Sequence, residues 1–362
     1  MVRDLTCVAA GSNNDDASTV STEREQRFMR AALNEAKRSL GQTSPNPAVG
    51  AVLVIRNKIV ARGHHRGAGR AHAEVECLQN YGAPIPRHAA LYVTLEPCST
   101  EGRTAPCTNA IIRAGVRKVA IGARDVNPRH SGRGIILLRN AGIAVQEGIL
   151  EKECTQLNET FNKWILTGLP FVIAKCGMSI DGRLTRPAAE PQWITGRGAR
   201  QDVHRLRARV DAVLVGAETV RSDNPRLTVR GVCGARQPWR VVLTRSGRIR
   251  RHVHLFSDKF ARRTLVYRGK PFAAVLKDLG KRGITSVLIE GGGEVLGQVL
   301  DSRLVDKLHI YLGAILTGGP VVAFAGQGAP KTADALRLRD VDYEQIGQTI
   351  RVTGYPDALP QE

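Results

Sequence analysis

The triplet His72-Ala73-Glu74, answered downstream by Pro97-Cys98 and Pro106-Cys107, constrains this chain more than any other stretch. One imidazole nitrogen and two thiolates fill three tetrahedral positions around Zn²⁺ and leave the fourth for water. A metal held this way lowers the pKa of that water and makes a nucleophile available near neutrality. Glu74 stands two residues from the first ligand, so it can face the water without binding the metal. It can then take a proton and return it to a leaving group. Singly, a surface His and Glu and two buried cysteines carry no message. In this order they predict one zinc per chain, held by His72, Cys98 and Cys107, with Glu74 as the proton carrier.

His-x-Glu followed by Pro-Cys and a further Cys is the ligand grammar of zinc deaminases. Nucleic-acid and nucleoside deaminases usually close it with Cys-x-x-Cys, whereas eight residues separate Cys98 from Cys107. The run Thr94-Leu95-Glu96-Pro97-Cys98-Ser99, continued by Gly102-Arg103-Thr104-Ala105-Pro106-Cys107, is distinctive. It closely resembles the bifunctional diaminohydroxyphosphoribosylaminopyrimidine deaminase and 5-amino-6-(5-phosphoribosylamino)uracil reductase of riboflavin biosynthesis. Asp125-Val126-Asn127-Pro128 and Gly132-Arg133-Gly134 match the same family. The resemblance implies that Asn46, His65 and Arg103 serve the pyrimidine pocket. From the residues alone, Asn46 within Ser44-Pro45-Asn46-Pro47 reads as a turn former. The family commonly has His where this chain has Thr100, a departure beside the metal that touches none of its ligands.

At 362 residues and 42% hydrophobic content, the chain can bury two cores. Residues 1–21 are too polar to bury and read as a disordered leader. Thr22-Glu23-Arg24-Glu25 fits a capping box that opens a helix with Phe28, Ala32 and Ala36 on one face, ending near Gly41. A hairpin over 49–61 and then alternating helices and strands predict an α/β three-layer sandwich around a mostly parallel sheet, the zinc domain of 22–150. Residues 151–169 read as a helical connector carrying Leu157, Phe161, Trp164 and Ile165 at helical spacing. A second α/β pattern fills 170–355. Its strands are expected at 171–175, 211–216, 240–244, 264–267 and 286–290, with a helix over 198–209.

No Gly-x-Gly-x-x-Gly follows a strand in this second half. The triplet Gly291-Gly292-Gly293 is by itself either a tight turn or a phosphate cradle. The resemblance, which spans about residues 25 to 350, decides between them. It implies a cytidine-deaminase-like first domain and a dihydrofolate-reductase-like second domain that uses NADPH. It further implies that Gly177, Trp193, Thr219, Asp223, Gly291, Gly292 and Gly293 touch the cofactor. Lys175, Arg207, Leu227, Arg230 and Glu290 would then meet the phosphoribosyl substrate, arginine being suited to grip phosphate through paired hydrogen bonds. Read without the family, Arg207 is a charge on a helix surface. Two departures stand out: Pro191 replaces a substrate-contacting Ser, and Arg245 replaces a small polar neighbour of the cofactor.

Lys+Arg 53 against Asp+Glu 33 leaves a net charge of +20, a field that attracts anions. The basic residues are spread out and aromatics make up only 4%, which favours small phosphorylated pyrimidines over nucleic acid. Seven cysteines, an odd number with two given to the metal, suit a reducing cytoplasm. No apolar run reaches membrane-spanning length, and no secretory signal opens the chain. The expectation is a cytoplasmic homo-oligomer with no membrane or nucleic-acid partner. Three rivals remain at this point. An RNA or nucleoside deaminase with a basic accessory domain is disfavoured by the eight-residue gap and by Gln192-Trp193-Ile194-Thr195. A scaffold with purely structural zinc would need a fourth protein ligand, and the motif offers none nearby. A chain active in only one half is left open by the departures in the second.

Overall fold

The structure, a computed structural model, describes residues 22–101, 105–184, 193–250 and 252–357. The leader, Arg103 and Pro191 therefore lie outside the described residues.

Helix α1 (Glu23–Lys37) opens as its sequence dictates. The Glu25 amide donates to Thr22 Oγ1 and the Thr22 amide to Glu25 Oε2, both at 3.3 Å. It ends at Lys37, earlier than expected, and a turn carries the chain on to Gly41, whose φ of +79° suits glycine. Then follow β1 (Gly50–Ile55), β2 (Lys58–His64), α2 (Ala73–Tyr81), β3 (Ala90–Leu95), α3 (Cys107–Arg113), β4 (Lys118–Ala123), α4 (Arg133–Asn140) and β5 (Ala144–Gln146). The strands form one sheet in the order β2-β1-β3-β4-β5. It is mixed rather than mostly parallel, because the opening hairpin places β1 antiparallel to both β2 and β3. Strand alternation assigns the two faces. Ala51, Leu53, Leu91 and Val93 pack under α2, α3 and α4, while Val52, Val54 and Tyr92 pack against Phe28, Met29 and Ala32 of α1.

The expected single connector helix is two helices, α5 (Glu151–Leu157) and α6 (Glu159–Thr167). The break falls at Asn158, whose buried side chain bonds to both backbone groups of Ala48 instead of continuing a helical surface. Cys154 on α5 belongs to the first core, whereas α6 leans on the second sheet, with Trp164 Nε1 donating to the Gly280 carbonyl at 3.0 Å.

The second half contains β6 (Phe171–Ser179), α7 (Arg197–Arg209), β7 (Ala212–Gly216), α8 (Ala217–Asp223), β8 (Trp239–Thr244), α9 (His254–Ser257), β9 (Thr264–Arg268), α10 (Phe272–Lys281), β10 (Ser286–Ile289), α11 (Gly293–Asp301), β11 (Lys307–Gly313), β12 (Leu338–Ile346) and β13 (Thr349–Pro356). Its strand order is β12-β13-β11-β6-β10-β7-β8-β9. Every pairing from β11 to β9 is parallel, and the closing hairpin β12–β13 joins β11 antiparallel. That hairpin escapes a reading by alternation because β12 is exposed along nearly all its length. In a parallel sheet the carboxyl ends of the strands share one edge, and the crevice beyond that edge is where ligands bind. No helix among the described residues is long and apolar enough to cross a membrane.

Candidate active sites, a thiolate–imidazole cluster and a cationic cleft

Three elements converge on the first site. His72 is the N-cap of α2, Cys98 follows the end of β3, and Cys107 is the first residue of α3. Pro106 is the N-cap of α3, which leaves Cys107 at the helix entrance. His72 Nδ1 lies 3.2 Å from Cys107 Sγ and 3.6 Å from Cys98 Sγ, and all three candidate ligand atoms fall within 4.8 Å of one another. Tetrahedral zinc with ordinary Zn–N and Zn–S bonds would set nitrogen and sulfur about 3.6 Å apart, so the donor set fits that ion in type and spacing. The Cys98 thiol is pulled well below the usual thiol range, chiefly by the hydrogen bond from the Cys107 thiol and despite burial, with His72 adding to the effect.

Glu74 is buried beside this cluster, and burial pushes its carboxyl up to about 7. Its carboxylate is within hydrogen-bonding reach of the Cys107 thiol. A carboxyl poised near neutrality can both accept and return a proton. His65 is buried as well, and burial lowers its pKa, keeping the ring neutral. With its Nδ1 proton on the Ala71 carbonyl (3.1 Å), its Nε2 lone pair accepts from Asn46 Nδ2 at 3.2 Å. The His65 ring meets His72 edge-on, with centroids 5.0 Å apart. His65 thus lies against His72 of the cluster and Asn46 against His65, while Arg103 lies outside the described residues. Thr100 is exposed and its hydroxyl sits 3.3 Å from His130 Nδ1.

The second site is a cleft of about 2170 Å³ at the carboxyl ends of the parallel strands. Gly177, Trp193, Thr219, Asp223 and the triplet Gly291 to Gly293 all line it, as do Lys175, Arg207, Arg230 and Glu290. Leu227 does not: its side chain is buried in the apolar cluster under the sheet, on a residue with φ of +52°. The glycine triplet divides its work. A Cβ on Gly293 would run into the Val322 carbonyl and one on Gly291 into Val295, whereas Gly292 meets only Thr219 Oγ1 at 3.6 Å.

Glu290 is the electrostatic centre of the cleft. Its Oε1 accepts from Arg207 Nε at 2.5 Å, and its Oε2 from Arg207 Nη2 at 3.0 Å and Lys175 Nζ at 3.4 Å. Although burial opposes it, Arg207 and Lys175 hold this carboxyl down at about 2. Arg207 Nη1 also donates to the Thr228 carbonyl. The guanidinium expected to grip phosphate is therefore spent largely inside the protein. Exposed Arg230 has no ion pair among the described residues and is the better-placed cation. Trp193 is 61% exposed, its ring face carrying the Arg200 guanidinium at 5.1 Å. Arg245 pairs with Glu294 at 2.9 Å on the surface.

Two residues here escaped the sequence reading. Buried Glu96 accepts the backbone amides of Asp125, Gly132 and Gly134 and so ties the 125–134 loop to the Cys98 segment. A carboxylate directly before the Pro-Cys pair was its only signal. His204 accepts the Arg230 amide on Nδ1, and burial, then Arg207 and Arg230, push its pKa to about 4, so it faces the cleft uncharged. Its position one helical turn before Arg207 was the available clue.

Comparison with known proteins finds two families in the chain. Residues 22–123 match the cytidine and deoxycytidylate deaminase zinc-binding region, and residues 170–352 match the RibD C-terminal domain. The chain is 36% identical to the riboflavin biosynthesis protein RibD of Bacillus amyloliquefaciens, over 92% of this chain and 96% of that one. It is also 36% identical to the Escherichia coli protein of the same name, over 90% and 98%. Among solved structures it is similar to Acinetobacter baumannii RibD, with a TM-score of 0.85 and 36% identity, covering 92% of this chain and 99% of that one. A Thermotoga maritima diaminohydroxyphosphoribosylaminopyrimidine deaminase/5-amino-6-(5-phosphoribosylamino)uracil reductase gives a TM-score of 0.83 at 34% identity, covering 92% and 99%.

Proposed function

The chain belongs to the bifunctional deaminase–reductase family of riboflavin biosynthesis, and we propose that its two sites act in succession on one phosphorylated pyrimidine. The first hydrolyses the exocyclic amine of 2,5-diamino-6-(5-phosphoribosylamino)pyrimidin-4(3H)-one to a carbonyl and releases ammonia. The second transfers a hydride to C1 of the sugar and, with one proton, turns the ribosyl into a ribityl side chain. The observation that carries this reading is the pairing of an open three-donor cluster and its buried carboxylate with a separate cationic cleft, each in its own α/β domain.

In the first site His72, Cys98 and Cys107 would hold one zinc ion, which when bound makes water nucleophilic near neutral pH. Glu74 holds the abstracted proton on its carboxylate and passes it to the departing amine, so that water adds and the C–N bond breaks without a free proton in the pocket. Neutral His65 fixes the Asn46 amide, which orients the pyrimidine by hydrogen bonding. In the second site NADPH would supply the hydride. Trp193 offers a flat face for the cofactor, and Gly292 lets a phosphate approach the backbone at the entrance of α11. Arg230 and Lys175 attract the substrate phosphate, while the Glu290–Arg207 pair shapes the floor beneath it.

Assaying the two half-reactions separately tests this partition. Purified protein should deaminate the pyrimidine and, given the deaminated product, oxidise NADPH. Elemental analysis should find about one zinc per chain in the wild type and little in Cys107→Ala, because loss of one of three protein ligands opens the site. Full zinc retention in Cys107→Ala would mean a different ligand set.

A further inference from the structure

Asp211 immediately precedes β7 in the second domain, yet its buried carboxylate is bonded to the first. Oδ2 accepts from Ser44 Oγ at 2.6 Å and from the Thr285 amide and hydroxyl, both at 2.8 Å, while Oδ1 accepts from Arg236. Ser44 opens the turn that carries Asn46, whose amide donates to the Thr43 carbonyl at 2.9 Å. The other end of that turn is held by Asn158, which brackets the backbone of Ala48 at 2.8 and 3.0 Å. Asn46, with its contact to His65, therefore hangs between two clamps, neither of which belongs to the strands and helices of the zinc domain. A cavity of about 40 Å³ bordered by Ser44, Asn46, Asn158 and Asp211 separates the two sides there.

We propose that Asp211, a residue of the second domain, is a positioning residue for the deaminase pocket, acting through Ser44 to aim Asn46. This gives a physical reason for joining the two domains in one chain: the foot of the second sheet completes the pyrimidine pocket of the first. The proposal rests on Asn46 serving that pocket, as set out above. Asp211 and Thr285 stand before β7 and β10, and the cationic cleft opens at the opposite ends of those strands. Disturbing the joint should therefore leave the reductase site alone.

The test uses the full chain. Ser44→Ala removes the hydroxyl that bonds Asp211 across the joint, together with its 3.4 Å contact to Thr285 Oγ1, and leaves Thr285 and Arg236 on the carboxylate. KM for the diaminopyrimidine is expected to rise about tenfold, about 1.4 kcal/mol, with kcat within about twofold because the loss is of uniform binding. Zinc content and NADPH oxidation with deaminated substrate should stay at wild-type values. Ser44→Thr keeps the hydroxyl and should restore KM. Asp211→Ala, which leaves Ser44 no acceptor there, should raise KM in the same way, and combining it with Ser44→Ala should add nothing, because the two share one interaction. Should Asp211→Ala fail to fold, the two Ser44 variants decide alone. An unchanged KM in Ser44→Ala overturns the proposal, and so does an equal fall of both activities with a lowered Tm. A wild type that does not deaminate this pyrimidine refutes the functional reading and takes the proposal with it.

Discussion

Glu74→Gln is expected to lower turnover of the diaminopyrimidine by about 10²–10⁴-fold, the usual worth of a positioned proton carrier, while zinc stays bound. The amide is nearly isosteric with the acid but cannot accept a proton near neutrality. Glu74 is not among the three candidate ligand residues, so metal content should not follow activity. The residue is buried, and its replacement brings no new charge into the pocket. NADPH oxidation with deaminated substrate should be almost untouched, since Glu290, Lys175 and the glycine triplet line a different cleft in the other domain. Two assays and a zinc determination on one variant suffice. Collapse of both activities with zinc and fold intact would mean that the chain does not have two independent sites.

The first site was legible because its chemistry is written locally. The His72, Glu74, Cys98 and Cys107 spacing needs only that α2, β3 and α3 be neighbours, and consecutive elements usually are. The capping box at Thr22 and Glu25 was legible for the same reason, both partners lying within one turn. What sequence patterns miss is long-range and polar. Asn158 reads as one more residue of an amphipathic helix, yet its amide is taken by Ala48, far upstream, and the helix breaks there. Asp211 reads as the polar start of a strand, but its partners are Ser44, Arg236 and Thr285. Leu227 illustrates the opposite limit. A motif position carried over from relatives marks a place on the backbone, and here the side chain turns into the core. Arg207 was expected on the substrate, and only three-dimensional packing brings Glu290 within its reach to claim most of its fork.

That claim sets up the second large effect, on the reductase domain. Glu290→Gln keeps the shape of the side chain but leaves Arg207 and Lys175 side by side with no anion between them. Removing one partner of a buried ion pair costs about 3–5 kcal/mol, and the cleft should lose its geometry with its charge balance. NADPH oxidation is expected to fall well below wild type and deaminase turnover to persist. The pH dependence of stability gives an independent signature. The folded-state pKa of Glu290 lies at about 2, below its ordinary 4.5, so its contribution is fully present above 4.5. It is lost as pH falls through the folded value, because the unfolded carboxylate binds its proton first. A displacement of that size is worth about 3 kcal/mol at neutral pH and about 1 at pH 3. Thermal unfolding of wild type and Glu290→Gln should therefore differ most at pH 7 and converge as pH drops from about 4.5 towards 2. The glutamine has no charge to lose, so its own stability curve should lack that segment. A gap between the two proteins that stays constant from pH 7 to pH 3 would show that Glu290 acts through its shape alone. The ion pair would then not be what holds the floor of the cleft.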